Sequence, residues 1–247
     1  MISAIIITKN EESDIKRCLD SIKWADEIII VDSVSTDRTV ETAKNFGAKV
    51  FVKKWEGYGA QKNFAIDKTT NDWILSIDAD EEVSPELQKE IKKVIQNPGN
   101  YAAFKMPRKL IFQGKFLRWG GCYPNYQVRL FRKDKAKFSS DLVHEKLVVD
   151  GKIGSLKGGF LHYSYKDLSD YFERFNRYTT LDARKRFNKD KRFYFWYYIQ
   201  PLFKFFSMYF LRVGFIDGLH GFDWAILCAY YDFVKFQKLK ELRNEKK

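Results

Sequence analysis

Two carboxylates one residue apart, Asp78 and Asp80, close the apolar run Trp73-Ile74-Leu75-Ser76-Ile77. A short run of large apolar residues reads as a buried strand, and in an open α/β sheet ligands gather just beyond the carboxyl ends of such strands. Side chains alternate along an extended chain, so the two acids are expected on one side of it. Two hard oxygen donors so placed can share one divalent cation, which in turn neutralises phosphate oxygens. An acidic turn that is merely solvated has the same local pattern.

Three further groups carry chemical potential. Thr8, Asn10 and Glu11 follow the first apolar run, where they either cap a helix or touch a ligand. Asp32 and Ser33 follow the second. Gln61 and Lys62 come after two glycines, Gly57 and Gly59, at the head of a short helical stretch. Only three histidines are present, His144, His162 and His220, and no His-Glu-x-x-His pattern points to a zinc hydrolase. His162 ends an apolar run, as a polar ligand or as a hydrogen-bonded core residue.

The elements that must position these groups alternate in type. Residues 2–8 read as a first strand; Asn10-Glu11-Glu12 then opens a helix to about Ile22 whose Ile15, Cys18, Leu19 and Ile22 share one face. A second buried strand spans Glu27 to Val31. Ser35 is placed to cap the next helix and Gly47 to end it. A third strand runs from Lys49 to Val52, and the acid-tipped strand is the fourth. Helices between strands of buried character call for an α/β fold with a mixed, mainly parallel sheet, Rossmann-like, joined by right-handed crossovers. The loops Thr8 to Glu11, Asp32 to Asp37 and Asp78 to Asp80 are then expected on one edge. Ser84-Pro85 starts a helix to about Ile95, short alternating segments between 101 and 157 read as antiparallel strands, and helical spacing resumes at Leu168, Tyr171, Phe172, Phe175 and Tyr178.

Charge and aromatic content divide the 247 residues unequally. Residues 1–100 hold 14 Lys/Arg against 18 Asp/Glu, net −4, and the rest 30 against 14, net +16. Of the 42 Phe, Tyr and Trp, 35 lie after residue 100. The expected organisation is a catalytic domain over 1–165 and a basic, aromatic helical extension over 166–247. The stretch 193–213 and the segment Phe222 to Phe236 are rich in aromatics, but Gln200, Pro201 and Lys204 interrupt the first, so no charge-free membrane span exists there. Helices lying on an anionic membrane surface are expected, with no nucleic acid partner. Cys18, Cys122 and Cys228 are odd in number and lack a CxxC pair, which fits a reducing compartment. The N-terminus reads as a first strand rather than a signal peptide, and the expected location is cytoplasmic, peripheral on the inner face of the cell membrane.

Thr8-Lys9-Asn10-Glu11, Val31-Asp32-Ser33-Val34-Ser35-Thr36-Asp37, Gly59-Ala60-Gln61-Lys62-Asn63, Ile77-Asp78-Ala79-Asp80-Glu81-Glu82, Val143-His144-Glu145 and Leu161-His162-Tyr163 together resemble the inverting family 2 glycosyltransferases, which have the GT-A fold. Within that family the chain is similar to the bacterial lipopolysaccharide core β-glucosyltransferases, the WaaE/KdtX group. The resemblance covers about the first 190 residues. It implies a nucleotide-sugar donor, UDP-glucose or a related UDP-sugar, and a divalent Mg²⁺ or Mn²⁺. The implied acceptor is a lipopolysaccharide-core or other lipid-linked glycan. Asp80 is the expected metal ligand, with Asp78 on the metal or the ribose and His162 as a third metal ligand or a diphosphate contact. Thr8, Asn10, Glu11, Asp32, Ser33, Gln61 and Lys62 would frame the nucleotide. Inverting transfer needs a carboxylate to take the acceptor hydroxyl's proton; Glu145 is the candidate base and Asp141 the reserve. Many relatives carry two adjacent acids where this chain has Asp32-Ser33, so the resemblance does not fix which atom reads the donor base.

Other classes fit less well. A haloacid-dehalogenase-type phosphatase would want Thr or Val where Glu82 stands, and a calcium loop Gly where Val83 stands. The glycine-rich first loop of nucleotidyltransferases is missing, since Thr8 to Glu11 contains no glycine. A non-catalytic basic module binding membrane or nucleic acid would account for the tail and leave the acidic loops without a purpose.

Overall fold

A computed structural model describes residues 1–139, 146–165, 167–189 and 194–245. The chain forms two compact units, one from Met1–Arg108 with Asn125–His162 and the other from Lys109–Pro124 with Tyr163–Lys247.

The first unit holds β1 (Ile2–Thr8), α1 (Ile15–Ile22), β2 (Glu27–Asp32), α2 (Thr39–Asn45), β3 (Lys49–Val52), α3 (Tyr58–Asp67), β4 (Trp73–Ser76), β5 (Glu81–Val83) and α4 (Pro85–Gln96). β6 (Tyr101–Phe112) then runs on into the second unit, where its end pairs with β7 (Lys115–Phe116). The first unit resumes with β8 (Asn125–Arg132), β9 (Ala136–Phe138), β10 (Leu147–Val149), β11 (Lys152–Ser155) and β12 (Phe160–His162). The main sheet runs in the order β3-β2-β1-β4-β8-β6-β12-β5. Its first four strands are parallel, as the alternation of helices and strands requires, and β8 joins β4 and β6 antiparallel.

Continuous apolar runs form these strands because the sheet is covered on both faces. Ile2, Ala4 and Ile6 of β1 pack on one side with Ile15, Leu19 and Ile22 of α1. Ile5 packs on the other side with Ile29, Ala65 and Ile74. Ser84 caps α4 by accepting from the Leu87 N–H at 3.2 Å, with Pro85 in the first turn. Gly47, at φ 89°, ends α2. Ser35 does not cap α2, contrary to the sequence expectation: Asp37 accepts from both the N–H and the hydroxyl of Thr39, while the Ser35 hydroxyl is drawn away to Asp32. α1 begins five residues later than Asn10, which sits at φ 56° in the loop.

The second unit is built on α5 (Leu168–Asn188), α6 (Trp196–Phe206) and α7 (Leu219–Asn244). A π-helical turn (Ser207–Leu211) and a 3-10 turn (Gly214–Asp217) separate α6 from α7. α5 and α6 each pack on α7. The segment 109–124 belongs here because Asp217 ties it down: its carbonyl accepts from Lys115 Nζ and its carboxylate from the Trp119 N–H, both at 2.8 Å. Gly221 lets α7 reach the 3-10 turn, since a Cβ there would lie 2.1 Å from the Gly214 oxygen. No described helix is long and apolar enough to cross a membrane.

Candidate active site

The tips of β1 and β2 lie side by side, with Thr8 paired to Asp32. Asp32 is 1% exposed, and its two oxygens accept from the Thr8 hydroxyl (2.9 Å), the Ser35 hydroxyl (2.5 Å) and the Ser35 N–H (2.8 Å). Asn10 completes the junction, its N–H donating to Ser35 Oγ at 2.8 Å and its side-chain oxygen accepting from the Thr36 N–H at 2.9 Å. The Glu11 N–H donates to Thr39 Oγ1 at 2.8 Å. Thr8, Asn10 and Glu11 therefore clamp one loop to the next.

α3 connects this junction to the acidic loop. Gly57, at φ 109°, turns the chain into the helix, and consecutive residues then reach in two directions. Gln61 donates to Ser33 Oγ and to the Lys53 carbonyl, both at 3.0 Å. Lys62 Nζ lies 3.5 Å from Asp78 Oδ1. The Gln61 side-chain oxygen is buried without a hydrogen-bond partner among the described residues.

The acidic loop is not extended, which corrects the sequence expectation for Asp78 and Asp80. β4 ends at Ser76 and the chain turns, the Glu81 N–H donating to the Asp78 carbonyl at 3.0 Å. Alternation stops where the strand stops, so the two acids take different partners. Asp78 pairs with Arg129, which also reaches Glu81 Oε1 at 2.9 Å; Glu81 Oε2 in turn accepts from the Asp78 N–H at 3.0 Å. Burial opposes charge on Asp78, but Arg129 and then Lys62 outweigh it and hold its carboxyl well below the usual carboxylate range. Glu81 is completely buried, and there burial, reinforced by Asp78, prevails over Arg129 and raises its pKa.

Asp80 meets His162 instead, Oδ2 to Nε2 at 3.3 Å. The contact follows from the sheet: β12 pairs antiparallel with β5, placing His162 opposite Glu81. Among the described residues no three His, Cys, Asp or Glu side chains converge as a metal-holding group. A carboxylate beside an imidazole would suit Mn²⁺, with substrate phosphate and water in its other positions, better than Mg²⁺, which takes oxygen donors and would be held by Asp80 alone. Glu145 and Asp141 lie outside the described residues.

Arg129 and Glu81 escaped the sequence reading. Arg129 sits in Val128-Arg129-Leu130-Phe131, a cation inside an apolar strand, and this was the available signal. Its direction is set by an irregularity in register: Leu130 faces Phe104 and Val128 faces Lys105, leaving Arg129 as the extra residue. Such a bulge re-aims a side chain, here toward the acids beyond β4.

The family model of glycosyl transferase family 2 matches residues 3–141. An uncharacterized glycosyltransferase of Rickettsia typhi is 37% identical, over 98% of this chain and 87% of that one. The lipopolysaccharide core biosynthesis glycosyltransferase LpsC of Rhizobium meliloti is 29% identical, over 96% of this chain and 91% of that one. Among solved structures, glucosyl-3-phosphoglycerate synthase from Mycobacterium tuberculosis, in complex with Mn²⁺, UDP and glucosyl-3-phosphoglycerate, aligns with TM-score 0.49 at 18% identity, covering 69% of this chain and 74% of that one. The parallel β3-β2-β1-β4 sheet with its acidic loop is the α/β, GT-A arrangement anticipated from the motifs. With the family match covering more than half of the sequence and the relatives nearly all of it, the chain belongs to glycosyl transferase family 2.

Proposed function

We propose that this enzyme is an inverting hexosyltransferase that moves a sugar, glucose from UDP-glucose in the first instance, onto a lipid-linked or lipopolysaccharide-core glycan. The observation that carries the reading is the acidic loop, where Asp80 and His162 form one polar pair and Asp78, Arg129 and Lys62 a second cluster. In this reading Asp80 and His162 hold a divalent cation, with Asp78 as a further ligand or a ribose contact. The cation, when bound, offsets charge that develops on the departing diphosphate. Lys62 adds a fixed positive charge beside that loop. Thr8, Asn10, Glu11, Asp32, Ser33 and Gln61 shape the nucleoside end by holding the β1 and β2 loops together.

Transfer forms a bond from the acceptor oxygen to the anomeric carbon as the bond from that carbon to the diphosphate oxygen breaks. The hydroxyl proton passes to a carboxylate on the acceptor side, assigned to Glu145 with Asp141 in reserve. LpsC, matched over nearly the full length, supports a core-glycan acceptor. Peripheral attachment to the cytoplasmic membrane face is supported by the basic, aromatic second unit, with Phe195, Leu202 and Leu219 more than 70% exposed.

Titration calorimetry with UDP and UDP-glucose, with and without Mn²⁺, tests the donor assignment. Binding that requires the metal and weakens about 10–100-fold in Asp80→Ala is expected, the scale of losing a group that holds or orients a metal. No binding of any nucleotide diphosphate under either condition would overturn it.

A further inference from the structure

The helical unit contains a cavity of about 310 Å³ that the donor residues do not touch. Its lining is largely aromatic, with Trp224, Tyr165, Tyr171 and Tyr178 among the residues and Lys204 and Asp232 as the charged groups. Tyr165 and Tyr171 meet edge to face at 4.8 Å, and Tyr165 lies 6.1 Å from Trp224, so the walls support one another. The volume falls in the range of small-molecule sites and suits a single ring rather than an extended chain.

The polar groups of the cavity differ in what they have left to give. Asp232 is satisfied by Lys235 at 2.5 Å. The Tyr231 hydroxyl donates to Asp182 at 2.8 Å and the Tyr171 hydroxyl to the Leu227 carbonyl at 3.4 Å. Lys204, half-buried, has neither a hydrogen bond nor a carboxylate partner among the described residues, and the Tyr165 hydroxyl has no hydrogen bond among them either. An ammonium taken partly out of water calls for an anion. Phenol and indole faces with a few fixed donors hold a ring that has both an apolar side and hydroxyls.

We infer that this cavity is a second carbohydrate site, selective for a monosaccharide unit bearing a phosphate or carboxylate, with Lys204 as the anion contact and the tyrosine and tryptophan faces against the ring. The inference rests on the glycosyltransferase reading for the ligand class only, as a place to hold an acidic sugar of the acceptor.

Saturation-transfer NMR on the full chain tests it, with glucose 6-phosphate as the probe and excess UDP and Mg²⁺ present to fill the donor site. Saturation of the sugar ring protons is expected. Glucose and inorganic phosphate should compete poorly, and Lys204→Met should weaken binding about tenfold, the cost of one charge-assisted contact. Lys204→Arg should retain binding, which separates loss of the cation from loss of the fold. Absence of ring saturation, equal binding in Lys204→Met, or inorganic phosphate competing as well as the sugar phosphate would each overturn the proposal. A separate UDP titration of Lys204→Met should match the unaltered protein, so failure of the donor reading is visible independently of this one.

Discussion

In the first unit Ile5, Ile6, Ile29, Ile30 and Ile74 are each 1% exposed or less, whereas in the helical unit Phe195, Leu202 and Leu219 are 74%, 71% and 78% exposed. The sheet has two faces and both are covered, by α1 on one side and α3 on the other. Of the helices around α7, α5 buries the stripe Tyr171, Phe175, Thr179 and Ala183, while α6 buries only Pro201 and leaves large apolar side chains to solvent. Ion pairs differ in the same way. In the first unit Arg129 is locked against two acids at a strand tip, while in the second Lys204 has no acid at all among the described residues. At these positions the first unit pairs its charges internally, and the second has apolar surface and a charge that other molecules can satisfy.

The comparison is broken most severely at Arg129. Arg129→Met would leave the buried Glu81 without its guanidinium and Asp78 with Lys62 alone, and a loss of about 3–5 kcal/mol in urea unfolding is expected, the cost of removing one partner of a buried ion pair. A change below about 0.5 kcal/mol, the usual scale at an ordinary surface position, would show that the cluster is not a structural fastening.

The second unit's exposed apolar residues are tested by Leu202→Asp combined with Phe203→Asp. Flotation with phosphatidylglycerol–phosphatidylcholine vesicles should show binding by the unaltered protein, weakened by more than about 100-fold in the variant, as each of the two large side chains kept from an apolar medium costs about 1.5–3 kcal/mol. Thermal stability should not fall, because both residues are exposed. Equal flotation of the two proteins would remove the membrane reading.

The smallest effect concerns Glu27, which sharpens the contrast by showing a paired charge at the opposite end of the sheet. Burial works against its charge, but hydrogen bonds from Lys49, Ser3 and the Thr70 N–H bring its pKa down to about 2 from the ordinary 4.5. A carboxyl with a lowered folded pKa stabilises the protein above its unfolded value and loses that contribution as pH falls. The window is therefore pH 4.5 down to about 2. Glu27→Gln should cost about 1–3 kcal/mol near neutrality, the scale of charged hydrogen bonds, and the gap from the unaltered protein should close through that window. A pH-independent gap would refute the linkage.

Much of the first unit was legible because its signals are local. The bounds Ile2–Thr8 and Lys49–Val52, the Ser84-Pro85 helix start and the Gly47 stop follow from apolar runs and capping chemistry within a few residues. The Thr8–Asp32 junction follows from two parallel strands ending together. Ser35 does not cap α2 because Asp32 takes its hydroxyl, and Asp37 meets the first-turn Thr39 instead. In the second unit the aromatic helices were expected, but the assignment of 109–124 to them was not, since it depends on Asp217.

By itself the sequence determined that a parallel α/β unit forms and that two acids follow its fourth strand, because strand and helix periods are properties of neighbouring residues. Only the tertiary structure decided what those acids do. Arg129, 51 residues after Asp78, is aimed at it by a bulge, and His162 reaches Asp80 through the β5–β12 pairing. Periodicity specifies which face a side chain occupies; its partner depends on which strands pair and in what register, and here a one-residue irregularity and a turn after Ser76 placed the charged cluster.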